Sequence, residues 1–333
     1  MKHLRLIIPA AALAATLAAT TTVGQGQQAP SAGSRSGPFD TLHFRSIGPA
    51  SMSGRISDLA VFEANPAIFY VATAHGGVWK TTNNGTTFEA QLQDQGPLSV
   101  GDVAVSQTNP DLVWAGMGES NNRQSTSWGD GIYKSTDGGK TWSNMGLKTS
   151  RHINRVLIDP RSNDTVFVAA TGALFGPGGE RGIYKTTDAG KTWKQVLKVD
   201  DDTGTNDLVM DATDNKVLYA STYQRRRTTC CMNGGGPGSG IWKSTDAGET
   251  WTRIKGGVLD QPLGRIAVDV YRRRSNILYA LVEGPSQQGG GRGGAPAAAE
   301  AGPGAAGAPV AGQRGGPRSE MSRVEVTQTW MFE

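Results

Sequence analysis

Apolar and polar positions alternate in short runs along most of this chain, and the runs recur. Residues 56–62 (ISDLAVF), 100–106 (VGDVAVS), 153–159 (INRVLID) and 205–211 (TNDLVMD) follow the two-residue period of a strand with one face buried. Each is followed by a turn, such as Asn65-Pro66, Asn109-Pro110 or Asp159-Pro160, and then by a second apolar run rich in aromatics: 68–72 (IFYVA), 112–115 (LVWA), 166–169 (VFVA) and 217–220 (VLYA). Helical periodicity is absent between these runs, which argues against an α/β fold.

Downstream of each pair stands one phrase in four versions: GVWKTTNNGTTF from Gly77, GIYKSTDGGKTW from Gly131, GIYKTTDAGKTW from Gly182 and GIWKSTDAGETW from Gly240. The copies start 54, 51 and 58 residues apart, the mark of a repeat array. Within each copy, Gly-aliphatic-aromatic-Lys predicts a strand. The next residues form a turn whose carboxylate accepts backbone N–H groups and whose glycine takes positive φ. Thr-Trp then opens the return strand. Each unit therefore predicts four strands, A to D, with the phrase at the C–D turn. The expected fold is an all-β propeller of four-stranded blades, four complete and a fifth begun at 264–269 and 276–282.

The ends of the chain differ from this middle. Residues 1–25 read as a signal peptide: Lys2 and Arg5 precede the apolar run 6–19, too short to span a bilayer. No cysteine follows that run, so a lipid anchor is not expected, and the expected location is secreted or periplasmic with no stable membrane anchor. Residues 26–40 form a flexible leader, 41–283 the blades, 284–318 a Gly/Pro/Ala-rich low-complexity stretch, and 319–333 a short strand-like tail. The array thus stops inside a blade. A longer propeller is the natural expectation, with missing blades or a partner chain completing it.

The net charge of +4 is partly local, at Arg225-Arg226-Arg227 and Arg272-Arg273-Arg274. No basic stripe or recognised fold accompanies these triplets, so a nucleic-acid partner is not expected. Cys230 and Cys231 are adjacent and read most simply as two thiols or a loop staple; the sharper alternative is a vicinal ring in a ligand-facing loop. With four His and neither CxxC nor HExxH, no metal or cofactor is expected.

The pattern Ser/Thr-x-Asp-x-Gly-x-Thr-Trp is carried by Ser135, Asp137, Gly139, Thr141 and Trp142, by Thr186, Asp188, Gly190, Thr192 and Trp193, and by Ser244, Asp246, Gly248, Thr250 and Trp251. It resembles the Asp-box, the bacterial neuraminidase repeat; the first copy departs from it with Asn83 and Phe88. The order of elements, with FRSIG at 44–48, Gly54-Arg55-Ile56 and Gly264-Arg265-Ile266, resembles large secreted bacterial proteins related to the sortilin-type receptor propeller, many of them labelled glycosyl hydrolases. The resemblance covers about residues 40–283. It implies the propeller fold, peptide ligands in the sortilin branch, and sugar cleavage in sialidases and xyloglucanases. For the box residues Asn83, Asp137, Asp188 and Asp246 it implies a structural role.

In a propeller of this kind strand A lines the central channel, and the B–C and D–A loops share one face. Aligning the A strands gives a charged column: Asp58, Asp102, Arg155, Asp207 and Arg265. Carboxylates there are candidates for glycoside acid–base work, and arginines for holding a ligand carboxylate. The simpler alternative is mutual neutralisation around a wet channel. Candidate catalytic residues are therefore Asp58, Asp102 and Asp207. Candidate ligand-binding residues are Arg55, Arg155 and Arg265, with Arg123, Trp128, Tyr223 and Arg225 on the long loops at 119–130 and 223–239. A sialidase would also need a Tyr–Glu pair, which is not evident. The xyloglucanase pattern has Asp before the first blade's Gly-Gly, where this chain has His75. The expected function is an exported module that binds a peptide or carbohydrate ligand; the alternative is a glycoside hydrolase.

Overall fold

A computed structural model describes residues 54–123 and 126–284. The expected signal peptide, leader and tail, and the low-complexity stretch from 285 onward, lie outside the described residues. Blade I is β1 (Ile56–Val61), β2 (Phe69–Thr73), β3 (Val78–Thr81) and β4 (Glu89–Ala90). Blade II is β5 (Val100–Val105), β6 (Val113–Met117), β7 (Ile132–Ser135) and β8 (Ser143–Asn144). Blade III is β9 (Ile153–Asp159), β10 (Ser162–Ala170), β11 (Gly182–Thr186) and β12 (Lys194–Leu197). Blade IV has β13 (Thr203–Met210), β14 (Leu218–Arg227), β16 (Gly240–Ser244) and β17 (Thr252–Arg253), with β15 (Met232–Gly234) folded back on the end of β14. Blade V consists of β18 (Ile266–Val270) and β19 (Leu278–Val282). Each blade is an antiparallel meander, and no sheet closes on itself.

The recurring phrase makes the third strand and the bend after it. In blade III the Asp188 carboxylate accepts the Thr192 N–H at 2.9 Å, the Thr192 hydroxyl at 2.6 Å and the Thr186 hydroxyl at 2.7 Å. These bonds hold the exposed carboxyls of Asp188 and Asp137 far below the usual range, and that of Asp246 at about 2, with the threonine side chain the largest cause in each. Asn83 keeps the geometry with one bond reversed: its Oδ1 accepts the Thr87 N–H and its Nδ2 donates to the Thr87 hydroxyl. The residue after each of these four takes positive φ: Asn84, Gly138, Ala189 and Ala247. That twist turns its carbonyl outward, toward the preceding blade.

The preceding blade reads that carbonyl. Lys80 donates to the Gly138 carbonyl at 2.8 Å, Lys134 to Ala189 at 3.1 Å and Lys185 to Ala247 at 2.9 Å. Each lysine also lies over an aromatic ring on the strand beside it, Tyr70, Trp114 or Phe167. These rings press on the next blade's box. A Cβ on Gly190 would lie 2.6 Å from the Trp114 ring, and one on Gly248 at the same distance from Phe167, so the boxes need glycine there. Trp193 meets Trp114 edge to face with centroids 6.2 Å apart. The core consequently lies between blades: each apolar cluster joins one blade's outward residues to the next blade's inward ones.

Candidate functional site

Around the channel the inner strands β1, β5, β9 and β13 each carry a bulge just before the charged column. A bulge re-aims the following side chain. Here it brings Asp58, Asp102 and Asp207 onto one guanidinium. Arg155 stands 3.8 Å from Asp58, 3.4 Å from Asp102 and 3.0 Å from Asp207. The second oxygens of the aspartates are used too. Asp102 accepts the Val156 N–H at 2.7 Å, Asp207 the Val268 N–H at 3.0 Å and Asp58 the Val103 N–H at 3.5 Å. Each aspartate thus pins its own inner strand to that of the next blade. Burial pushes the Asp102 carboxyl up against the opposing pull of Arg155, while the neighbouring carboxylates raise Arg155. Beneath this ring the inner strands of all five blades line a cavity of about 530 Å³.

The fifth member of the column is not the expected one. β18 lacks the bulge, so the position whose following N–H meets Asp207 is Ala267. Arg265 lies closer to the loop face, where its Nε donates to Asn206 Oδ1 at 2.8 Å and its N–H to Glu283.

Above the ring, the loop face draws residues from every blade. Arg55 donates to the buried Glu119 at 2.7 Å, and His75 sits between Arg55 and the Ser127 hydroxyl, 2.7 Å from the latter. Tyr223 and Arg225 are buried on β14, and Arg225 reaches across to the Arg123 carbonyl at 2.7 Å. Glu119 Oε2 and Arg225 Nε are buried without a hydrogen-bond partner among the described residues. Burial lowers Arg225 and Arg265 from their ordinary values and raises Tyr223. Trp128 is 55 % exposed, its ring backed by the Arg151 guanidinium 4.9 Å away. The blade III loop beside it is wound around the buried Arg181, which donates to the carbonyls of Thr171, Ala173, Gly176 and Gly178.

The stretch read as a free loop at 223–239 is partly strand, because β14 runs on to Arg227 and turns back through β15. The arginine triplet is accordingly divided: Arg225 is buried, Arg226 pairs with Asp202, and the Arg227 N–H bonds the Leu174 carbonyl. Cys230 and Cys231 are bonded to each other at the exposed tip of this hairpin, rather than standing as two thiols. Sequence reasoning did not single out Glu119, Arg151, His152 or Arg181, whose roles come from contacts between loops far apart in the chain.

His152 supplies a pH-dependent test of this face. It is buried, 3.3 Å from the Thr126 hydroxyl, and burial followed by the Arg225 charge lowers it from 6.5 to about 4. A depressed histidine folds neutral, while the unfolded chain takes up its proton near 6.5. Its contribution is therefore complete above pH 6.5 and is lost as the pH falls toward 4, up to about 3 kcal/mol. Thermal melts between pH 7 and 4 are expected to show a falling midpoint that His152→Asn flattens.

Comparison with known proteins agrees with this architecture. The Sortilin-Vps10 family model, described as sortilin, neurotensin receptor 3, matches residues 130–281. A xyloglucanase of Paenibacillus sp is 23 % identical over 255 residues, 68 % of this chain and 23 % of that protein. The crystal structure of the Niastella koreensis GH74 enzyme superposes with a TM-score of 0.52 at 24 % identity, over 68 % of this chain and 34 % of that one. The fold is a β-propeller, similar to those of sortilin-type and glycosyl-hydrolase proteins. A Hypocrea jecorina xyloglucanase is also similar, 24 % identical over 65 % of this chain and 27 % of its own. The propeller described here thus spans about a quarter of the length of the curated relatives it matches. Among the described residues no helix is long and apolar enough to cross a membrane.

Proposed function

We propose that this propeller is an exported binding module, part of a larger assembly, that takes a carbohydrate or peptide ligand on its loop face. The observation that carries this reading is the state of the channel carboxylates. Asp58, Asp102 and Asp207 share one arginine, and each also accepts a backbone N–H of the next blade. Glycoside acid–base chemistry needs one carboxyl to meet the leaving oxygen and another to meet water or the sugar. Carboxylates used to join blades do neither. The exposed Trp128 backed by Arg151 offers a flat ring for a sugar or a side chain.

The second reading is a glycoside hydrolase, favoured by the similarity to xyloglucanases. Titration calorimetry and product analysis on xyloglucan oligosaccharides, sialosides and a peptide panel separate the two. Binding without new reducing ends is expected, with Trp128→Ala weakening it about tenfold or more and leaving the melting midpoint unchanged. Sugar release that disappears in Asp102→Asn would overturn the binding reading.

A further inference from the structure

The hairpin that extends blade IV closes without the residues a tight turn calls for. Beyond the ladder pairs Arg225–Gly234, Arg226–Asn233 and Arg227–Met232, the Thr228 N–H donates to the Cys231 carbonyl at 2.8 Å. That leaves Thr229 and Cys230 as a two-residue loop. Such loops favour primed turns, built from Asn-Gly, Asp-Gly or Gly-X with positive φ. Thr229 is β-branched, and neither it nor Cys230 takes positive φ. The Cys231 N–H, which would otherwise face the Thr228 carbonyl, bonds the Thr228 hydroxyl at 3.2 Å instead. The covalent bond between Cys230 and Cys231 supplies the closure that the turn residues do not.

The residues from Thr228 to Cys231 are all exposed, so a reagent meets the sulfurs without the propeller opening. The rest of the hairpin is short. β15 has three residues, and two paired strands of that length are marginal in water by themselves. The hairpin docks through one arm: Arg226 pairs with Asp202, and the Arg227 N–H donates to the Leu174 carbonyl of the blade III loop at 2.9 Å. On either side of this stretch the chain is held independently. Toward the blade, the Arg225 N–H bonds the Asp202 carbonyl and its guanidinium the Arg123 carbonyl. Beyond β15, the Gly236 N–H bonds the Leu263 carbonyl at 3.0 Å. Residues 226–235 therefore form a segment that can open by itself. The 333 residues hold no third cysteine, so the pair has no other partner within them.

We infer that Cys230–Cys231 is a redox modification site, that its reductant is a dithiol, and that its state sets whether the hairpin is docked on the blade III loop. One thiolate of the dithiol attacks an exposed Sγ. The S–S bond breaks, the released cysteine thiolate takes up a proton, and a mixed disulfide joins reductant to protein. The second thiol of the reductant attacks that bond, which closes the reductant into a disulfide and leaves the other cysteine to take up its proton. Two electrons pass from the dithiol to the pair. With the ring gone, the turn is left with the Thr228 hydrogen bonds alone. The hairpin is thus closed in an oxidising compartment and open where dithiols keep thiols reduced. The site stands whether the loop face takes a ligand or not.

Treating the folded full chain with dithiothreitol tests this. No thiol is expected to react with a maleimide beforehand, and both cysteines afterwards, with the melting midpoint of the propeller unchanged. Amides between Arg226 and Gly234 are expected to exchange about tenfold or more faster after reduction, and trypsin to cut after Arg226 or Arg227 only then. Cys230→Ser combined with Cys231→Ser is expected to behave as the reduced protein in either buffer. Thr229→Asn, Cys230→Gly and Cys231→Ser together place Asn-Gly in the loop, and this variant is expected to keep slow exchange with the reductant present. Thiols that react before any reductant is added, or a bond that yields only once the chain unfolds, would overturn the inference. So would a reduced hairpin that exchanges no faster than the oxidised one, or an Asn-Gly variant as loose as the serine pair.

Discussion

Replacing Arg155 by methionine is expected to lower the stability of the propeller by about 3 kcal/mol or more, although methionine keeps most of the aliphatic stem and is more apolar. The loss comes from what remains behind. Asp102 and Asp207 are buried, and with Asp58 they would face one another without the guanidinium that neutralises all three. Removing one partner of a buried ion pair leaves an uncompensated charge and typically costs about 3–5 kcal/mol. The lower end applies here because the Arg155 side chain keeps about a third of its surface in water. For a domain of this size such a loss lowers the melting midpoint by roughly 6–12 °C. Arg155→Met combined with Asp102→Asn is expected to recover part of it, since the amide keeps an acceptor for the Val156 N–H and removes one charge. If the ring instead served a ligand and not the fold, the single variant would melt like the parent and only binding or turnover would change.

Trp114→Ala is expected to have a comparable effect for a different reason. Trp114 is fully buried, packs on Trp193, lies beneath the Lys134 ammonium and fills the space above Gly190. Truncation opens a cavity between blades II and III, which rigid sheets fill poorly, and costs about 3–5 kcal/mol. Trp114→Phe is expected to cost much less, because Phe167 occupies the same place one blade later and meets Gly248 in the same way. Urea unfolding of the three proteins measures both differences. Equal loss in the alanine and phenylalanine variants would mean that the ring does not act as the spacer between blades.

How much of this was legible beforehand depends on range. The boxes were legible because their chemistry is local: a carboxylate, a hydroxyl and a glycine within eight residues close the bend on themselves, and even the Asn83 copy keeps the plan. The lysine in each phrase was visible as a letter but not as a contact, since its acceptor lies more than fifty residues ahead. The charged column was legible from strand alternation as far as Asp207. It failed at Arg265: the matching position in β18 is Ala267, two residues further on, in an inner strand that lacks the bulge of the other four. The loop face was the least legible. The Arg225–Arg123 contact spans 102 positions, and nothing in the local sequence around Glu119 or His152 signals burial.

All of this rests on stacked blades that cover one another's faces, and amide hydrogen exchange at high dilution tests that most directly. The paired amides of β5, β6, β9, β10, β13 and β14, whose blades are covered on both sides, are expected to exchange slowest and at a common rate. Those of β1, β2, β18 and β19 are expected to exchange faster, each belonging to a blade that a described neighbour covers on one side. Protection that is uniform from β1 to β19, or that breaks within blades II to IV rather than at their ends, would contradict the account.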